Sequence, residues 1–575
     1  MRATLVRSAA VLLATGVIAC SPTPRAAEPP APGVGQQAPA PSGPKTVTMV
    51  VRYEVTDLGA KRLAGAPSDS TKRAFNATLA LIDGSGAVRP YVAESLPQLN
   101  TDSWKLLPDG KMETTYRLKP NLTWHDGQPL TADDFVFAYR VYTAPGLGAF
   151  TSRPQDQMEE VIAQDPRTLV IRWRSLYGDA GSLVNQDLDP LPQHILDAPL
   201  AAYQQDPSTM DTFLGNSFWT LQYVGLGPYK LERWEPGTLI EGSAFDGHAL
   251  GRPKIDRFIS RPVPDENTAM TNLLGGSADI GLDNALRFEH AVELQRQWGS
   301  TGGVALMDAG TRHWIFIQFR PEILKTTALT DVRVRRALAH AIDREPINQA
   351  LFDGQGFMSE QWIPPKAPYY NDAERAVTRY PYDPRRAEQL MTEAGLTKDS
   401  SGFFATGPGD RFKPGFLIDG SPLFEREANI IQDSWARIGI DMDPKILSAV
   451  ESRQNSSRTT FPDMYASSTS IRESGLDIFS TAQIASANRN WAGNNRGGWS
   501  NPDYERLWSA YSTTLDRSER NQQIVEMMKV VNDQLPGLML YFNIRPTAHV
   551  AALKGPEIGT PETLFIWNVH EWEMK

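Results

Sequence analysis

Cysteine is almost missing from this sequence: Cys20 is the single one in 575 residues. One thiol can close no intramolecular disulfide and build no thiolate metal cage. Histidine is sparse as well. The eight histidines contain no H-E-x-x-H and no pair four residues apart, the spacing that sets two imidazoles on one helical face for zinc. A G-x-S-x-G elbow is absent, and with Cys20 at the very N-terminus there is no cysteine nucleophile. No metal, no cofactor and no catalytic group is therefore expected. Basic blocks are also lacking. Lys and Arg number 57 against 67 Asp and Glu, a net charge of −10, which excludes a nucleic-acid partner. Beyond the N-terminus no uninterrupted apolar run reaches about eighteen residues, so no membrane-spanning helix is predicted.

What is present has the composition of a soluble globular protein, 41% hydrophobic and 22% charged. The length is too great for one core and predicts two to four domains. At the N-terminus, Arg2 and Arg7 precede an apolar run from Ala9 to Ile18. At about ten residues it is too short to span a bilayer and suits a signal h-region. Val17-Ile18-Ala19-Cys20 resembles a bacterial lipobox, the alternative being an ordinary secretory signal with an incidental cysteine. That resemblance implies a signal peptide over 1–19 and lipidation of Cys20, whose acyl chains would be the membrane anchor. Residues 20–45, rich in Pro and Ala, then form a tether with little to bury.

The most informative stretch is 111–142, KMETTYRLKPNLTWHDGQPLTADDFVFAYRVY. Met112, Thr114, Tyr116 and Leu118 alternate with polar residues, the period of a strand with one buried face. Asp126-Gly127 makes a turn, and Thr131 with Asp134 three residues on reads as a helix start. Asp133-Asp134 reads as helix N-terminal charge rather than a catalytic pair. In its letters the stretch resembles the signature of the family 5 extracytoplasmic solute-binding proteins, the oligopeptide, dipeptide and nickel receptors of bacterial ABC importers. Tyr116 and Trp124 stand where phenylalanine is usual, Lys119 where arginine is, and Asn121 where the first glycine is.

Further stretches carry the same resemblance. Val224–Leu231 (VGLGPYKL) is close to "V-G-T-G-P-Y-x-L", and its glycines read as a tight structural crossover, not a phosphate loop. Leu191–Leu196 is similar to an element ahead of a helix, in which His194 reads as structural. Residues 331–344, DVRVRRALAHAIDR, place Val334, Leu338, Ala341 and Ile342 on one helical face. Arg333, Arg335, Arg336 and Arg344 there read as a solvated or salt-bridged face, with an anion site as the alternative. Asn501-Pro502 and Asp516 mark two later helix starts.

The resemblance implies an α/β, two-lobed periplasmic-binding-protein-like fold with an extra small subdomain in the first lobe. Lobe I is expected to begin over 46–87, to carry the extra subdomain over 88–222 and to continue over 223–310. Lobe II is expected over 311–540, with a return to lobe I over 541–575. The resemblance also implies an extracytoplasmic, lipid-anchored monomer that captures a solute by lobe closure and delivers it to the permease subunits of an ABC transporter. An oligopeptide is the family default; an oligosaccharide, a modified peptide or a metal chelate in the same fold is the alternative, and an anchored extracellular hydrolase is the rival of another class.

Ligand-contacting candidates follow. Tyr53 and Glu54 end the first strand, and Trp314 lies at the crossing into the second lobe. The loop NWAGNNRGGW offers Asn490, Trp491, Asn494 and Trp499. Peptide receptors resemble one another in a "D-m-x-x-x-x-W-x-x-D" segment whose last aspartate pairs with a peptide's α-amino group. Counting from Asp463-Met464, Thr469 stands at the tryptophan and Arg472 at the aspartate, a reversal of charge, with Glu473 one place later. Anionic or modified peptides would suit Arg472.

Overall fold

Two long strands, Val304–Ile317 and Gly537–His549, run antiparallel through the middle of the largest sheet and pass from one half of the molecule into the other. This computed structural model describes residues 43–61, 69–147, 154–448, 450–487 and 491–575, so Cys20, the leader and Asn490 lie outside the described residues. Along the sheet the order is Asp443–Leu447, Gly415–Asp419, Met464–Thr469, the two crossing strands, Ile280–Gly281, Thr46–Val51, Arg257–Pro262, Leu239–Ala244 and Tyr229–Glu235. Thr46–Val51 pairs in parallel with both its neighbours, and Gly415–Asp419 does the same in the other half.

The crossing strands show why the hydrophobic run in their sequence is unbroken. Ile315, Ile317, Leu538 and Leu540 enter one core of the second lobe. Trp314, Phe316, Met539 and Phe542, on the opposite face, enter another. Ala305 and Ala548, at the far ends, belong to a first-lobe core with Leu273 and Trp298. A strand covered on both faces has no polar side to show, so alternation is lost. Ladder pairing is interrupted between Ala309 and Arg312. There the buried Arg312 guanidinium donates to the carbonyls of Trp362 (2.6 Å), Ile471 (3.0 Å) and Ser470.

Residues 88–222 build their own five-stranded antiparallel sheet around Met112–Leu118, flanked by Ala93–Ser95, Trp104–Leu106, Met158–Asp165 and Thr168–Trp173. They nevertheless share one continuous core with the rest of the first lobe. Met112, Thr114, Tyr116 and Leu118 are buried, as their alternation predicts. The helix begins at Ala132, after the Thr131 cap. Asp134 accepts the Thr131 N–H at 3.0 Å, the carboxylate side of the expected box. Asp134 does more than favour a helix dipole. Buried, it also accepts from the Trp124 indole at 3.2 Å and the Gln193 N–H at 3.0 Å. Burial raises its pKa against these donors.

His125 completes the knot. Its ring nitrogens meet Gly225 N at 3.2 Å and Gly227 O at 3.0 Å. A Cβ on Gly225 would lie 2.0 Å from Phe75 O, and one on Gly227 2.3 Å from Phe75 C, so glycine is required for this approach. Asn121, in the place of a glycine, has φ +59°, the left-handed conformation asparagine tolerates. His194 bonds Asp126 at 2.8 Å, a surface tie.

The four arginines of 331–344 correct their reading as one charged face. Arg333 pairs with Asp331, but Arg335 is buried and donates to the carbonyls of Leu329, Thr330 and Gln534. Arg336 and Arg344 donate to Asp533 O and Met539 O. They fasten backbone rather than wait for an anion. Asn501 caps its helix by accepting from Asp503 N and Tyr504 N, and Asp516 accepts from Glu519 N, as their sequence positions predict.

Arg312→Met is expected to lower unfolding stability by about 3 kcal/mol or more, because buried carbonyls lose their donors. Denaturant midpoints of variant and parent check this.

Candidate functional site

A ligand closed in by two lobes must touch both, so the site is sought where residues of both halves face one space. One cavity meets that condition. Arg73, Thr78, Ala80 and Leu564 come from the first lobe, Asn185 from its extra subdomain, and Arg472 from the second lobe; Glu562 and Trp567 complete the wall. Its room is about 60 Å³, too little for a peptide as it stands. A larger hollow of about 390 Å³ is walled by residues 344–370 and Phe542. Its lining comes from that stretch and one crossing strand, with no residue before Arg344.

Arg472 reaches the cavity because of what holds its neighbours. The preceding carbonyls of Ser470 and Ile471 are fixed by Arg312, and the Arg472 N–H bonds Ser470 Oγ at 3.2 Å. Among the described residues its guanidinium has no hydrogen bond or ion pair. Glu473, in contrast, is consumed. Its carboxylate takes both Arg517 nitrogens and the Tyr511 hydroxyl, and its N–H donates to Glu562 Oε1 at 2.7 Å. Burial, and then the charge of Glu473, raise the Glu562 pKa.

Tyr511 links this chain of contacts to a second bridge between the lobes. Its hydroxyl accepts from Arg520, whose guanidinium grips Asp179 of the first lobe at 2.6 and 3.0 Å. Beside it, a Cβ on Gly178 would lie 2.7 Å from Thr514 O. These lobe-to-lobe contacts, and Arg73 and Glu562, escaped the sequence reading. The partners lie 89 and 341 residues apart, and no local pattern marks them.

The remaining candidates are placed elsewhere. Tyr53 is 45% exposed beneath Arg52, and Glu54 is held by the Trp234 indole and Gly237 N–H, both at 2.9 Å. Trp314 is corrected from pocket wall to core. It is 2% exposed, stacks on Phe316 at 3.6 Å and bonds Thr469 Oγ1 at 3.0 Å. Trp499 is likewise buried against Phe479 and Tyr504. Trp491 is half-buried, with Arg320 5.5 Å from its ring and an unusual φ of +56°. Asn494 is exposed. None of these lines the cavity between the lobes.

One arrangement bears on catalysis. Ser468 Oγ, His313 and Glu427 follow one another at 2.9 Å each, the order of a hydrolytic triad. His313 is fully buried, sandwiched between Phe424 and Tyr541, and no substrate reaches it. These three side chains tie a crossing strand to its neighbouring strand and to a helix.

The fold and cavity define a hinged two-lobed receptor. Residues 94–490 match the bacterial extracellular solute-binding proteins, family 5 Middle, and the chain belongs to that family. It is 24% identical over 510 residues to the oligopeptide-binding protein AppA of Bacillus subtilis, covering 84% of this chain and 83% of that protein. It is 24% identical over 467 residues to the dipeptide-binding protein of Escherichia coli, covering 78% and 81%. Among solved structures, NikZ from Campylobacter jejuni in complex with Ni(L-His) superposes with a TM-score of 0.71 at 20% identity, over 92% of this chain and 99% of that one. The family and these relatives are binding proteins, not enzymes. Among the described residues no helix is long and apolar enough to cross a membrane, and no group of three or more His, Cys, Asp or Glu is placed to hold a metal.

The charges here make two expectations measurable. Asp179→Asn removes one lobe-to-lobe ion pair. Asp179 is 43% exposed, so solvent screens the pair to about 1 kcal/mol and the open population is expected to rise about fivefold. Small-angle scattering would show a larger radius of gyration. Asp187, whose Oδ2 accepts the N–H of the cavity residue Val184 at 2.7 Å, is pushed up to about 8, chiefly by burial. A carboxyl raised from 3.8 to about 8 contributes stability that is complete below 3.8 and lost as pH rises through about 8. Asp187→Asn keeps the acceptor and is expected to flatten that decline in denaturant titrations at stepped pH.

Proposed function

We propose that this chain is the solute-capturing subunit of an ABC importer and that its cargo is a peptide. It opens about the crossing strands, takes the solute between Arg73 and Asn185 on one side and Arg472 on the other, closes, and presents the closed pair of lobes to permease subunits. The observation that carries this reading is the cavity whose walls come from both lobes, joined by a strand pair interrupted at Ala309–Arg312. The peptide assignment is supported by the relatives named for oligopeptide and dipeptide binding. A cleft able to close fits capture better than turnover, since the triad-like trio is sealed in the core.

We further read Cys20 as a lipidated N-terminus, with residues 21–45 holding a monomeric receptor off the membrane. The composition of that segment, with little to bury, supports a tether.

Native mass spectrometry of the protein purified gently from its host, then denatured, tests the cargo. A ladder of peptides is expected; a single sugar or chelate overturns the peptide assignment, and steady consumption of an added peptide pool without a bound adduct overturns the receptor reading. Cys20→Ser is expected to move the protein from the detergent phase to the aqueous phase on Triton partitioning; an unchanged distribution overturns the lipid anchor.

A further inference from the structure

The wall of the cavity between the lobes carries more positive than negative charge. Arg73, 4% exposed, lies 4.5 Å from the Tyr91 ring, and among the described residues its guanidinium has one backbone acceptor, Asn76 O at 3.4 Å. Arg472, opposite, has none. The cavity's acid is Glu562, and one of its oxygens is already taken by the Glu473 N–H. Two guanidinia therefore share the cavity wall with a single carboxyl group, and the buried Asp189, behind the wall, lies within electrostatic reach of Arg73. Trp567, in the same wall, adds a buried indole N–H that finds no acceptor among the described residues. Along the wall itself, cations outnumber anions. A buried donor or charge left without its partner is costly, and the chemistry that relieves the two guanidinia is an anionic oxygen pair.

We propose that this cavity seats a carboxylate of the solute between Arg472 and Arg73, so that the receptor selects acidic or N-acylated peptides over peptides presenting a free amine there. The inference rests on the peptide reading above and deepens it. A free ammonium would meet Arg472 at the point of contact and be repelled; a carboxylate would draw the two arginines together across the cleft. Arg472 is half-buried on the second lobe, whereas Arg73 is buried on the first lobe and held against Tyr91.

Titration calorimetry on the full chain tests this with four probes: tri-alanine, tri-alanine amide, N-succinyl-tri-alanine and free succinate. N-succinyl-tri-alanine is expected to bind at least about tenfold tighter than tri-alanine amide, and Arg472→Ala to remove that advantage while Arg472→Lys keeps some of it. Tri-alanine binding well above its amide would assign the seat to a C-terminal carboxylate, and the succinyl peptide alone would assign it to an acyl carboxylate; both support the seat. Equal affinity of the amide and the two acids overturns it, as does an Arg472→Ala variant, folded by its melting curve, that binds every probe as the parent does. Free succinate binding in an Arg472-dependent way, with no peptide bound, keeps the seat and overturns the peptide reading. No binding of any acid overturns the seat.

Discussion

The arrangement of the molecule depends on Arg312. It stands where the pairing of the two crossing strands is interrupted, and its buried guanidinium is occupied by three backbone carbonyls. A charge in that position is tolerable because each of its three nitrogens meets a backbone acceptor. Burial lowers its pKa to about 10, still far above neutrality, so it stays charged. The consequence is spatial. Trp362 and the pair Ser470-Ile471 belong to two separate stretches of the second lobe, and one side chain locks both to the crossing strand. The residue after Ile471 is Arg472, so the direction in which the cleft's arginine leaves the backbone is set from behind.

Much of the fold was legible in local sequence because its ties are local or involve glycine. The alternation of Met112–Leu118, the helix starts at Thr131, Asn501 and Asp516, and the crossover at Gly225–Gly227 are each enforced by sterics or hydrogen bonds within a few residues of the pattern. Even the departure at Asn121 is explained by backbone conformation, since asparagine can take the left-handed φ of the glycine it replaces. What local reading missed in the same stretch is cooperation at a distance. Asp134 looks like helix-end charge, yet its other partners are Trp124 and Gln193. His125 is an ordinary letter until Gly225 and Gly227 arrive from a hundred residues later to satisfy it.

The candidate site was less legible for the same reason, made stronger. Arg472 could be singled out because a charge reversal against a resembling motif is visible in one line of sequence. Glu473, its neighbour, could not be told from a free acid until Arg517 and Tyr511 were seen to occupy it. Tryptophans misled. Trp314 and Trp499 are large and amphipathic, which suits a ligand wall, but the same area makes them effective core residues, and here their indoles are packed against Phe316, Phe479 and Tyr504. Arg73, which the cavity does use, lies in a short helix, DSTKRAF, whose letters suggest a solvated face; its burial comes from the lobe around it.

Polar contacts join the lobes beside the cavity, and this bears on how closure is controlled. Asp179–Arg520 is partly screened by solvent, and the Glu473 N–H to Glu562 bond is a single hydrogen bond, so each contributes on the order of 1 kcal/mol. Contacts of that size bias the lobes without locking them, which leaves the solute room to decide the outcome. Arg73 and Arg472 then oppose each other across the closing cleft. As like charges they resist approach until an anion lies between them, at which point the same two groups attract it from both sides. A receptor built this way does not need a rigid pocket to discriminate. On the proposal of a carboxylate seat, charge at one point of the ligand would determine whether closing is uphill or downhill.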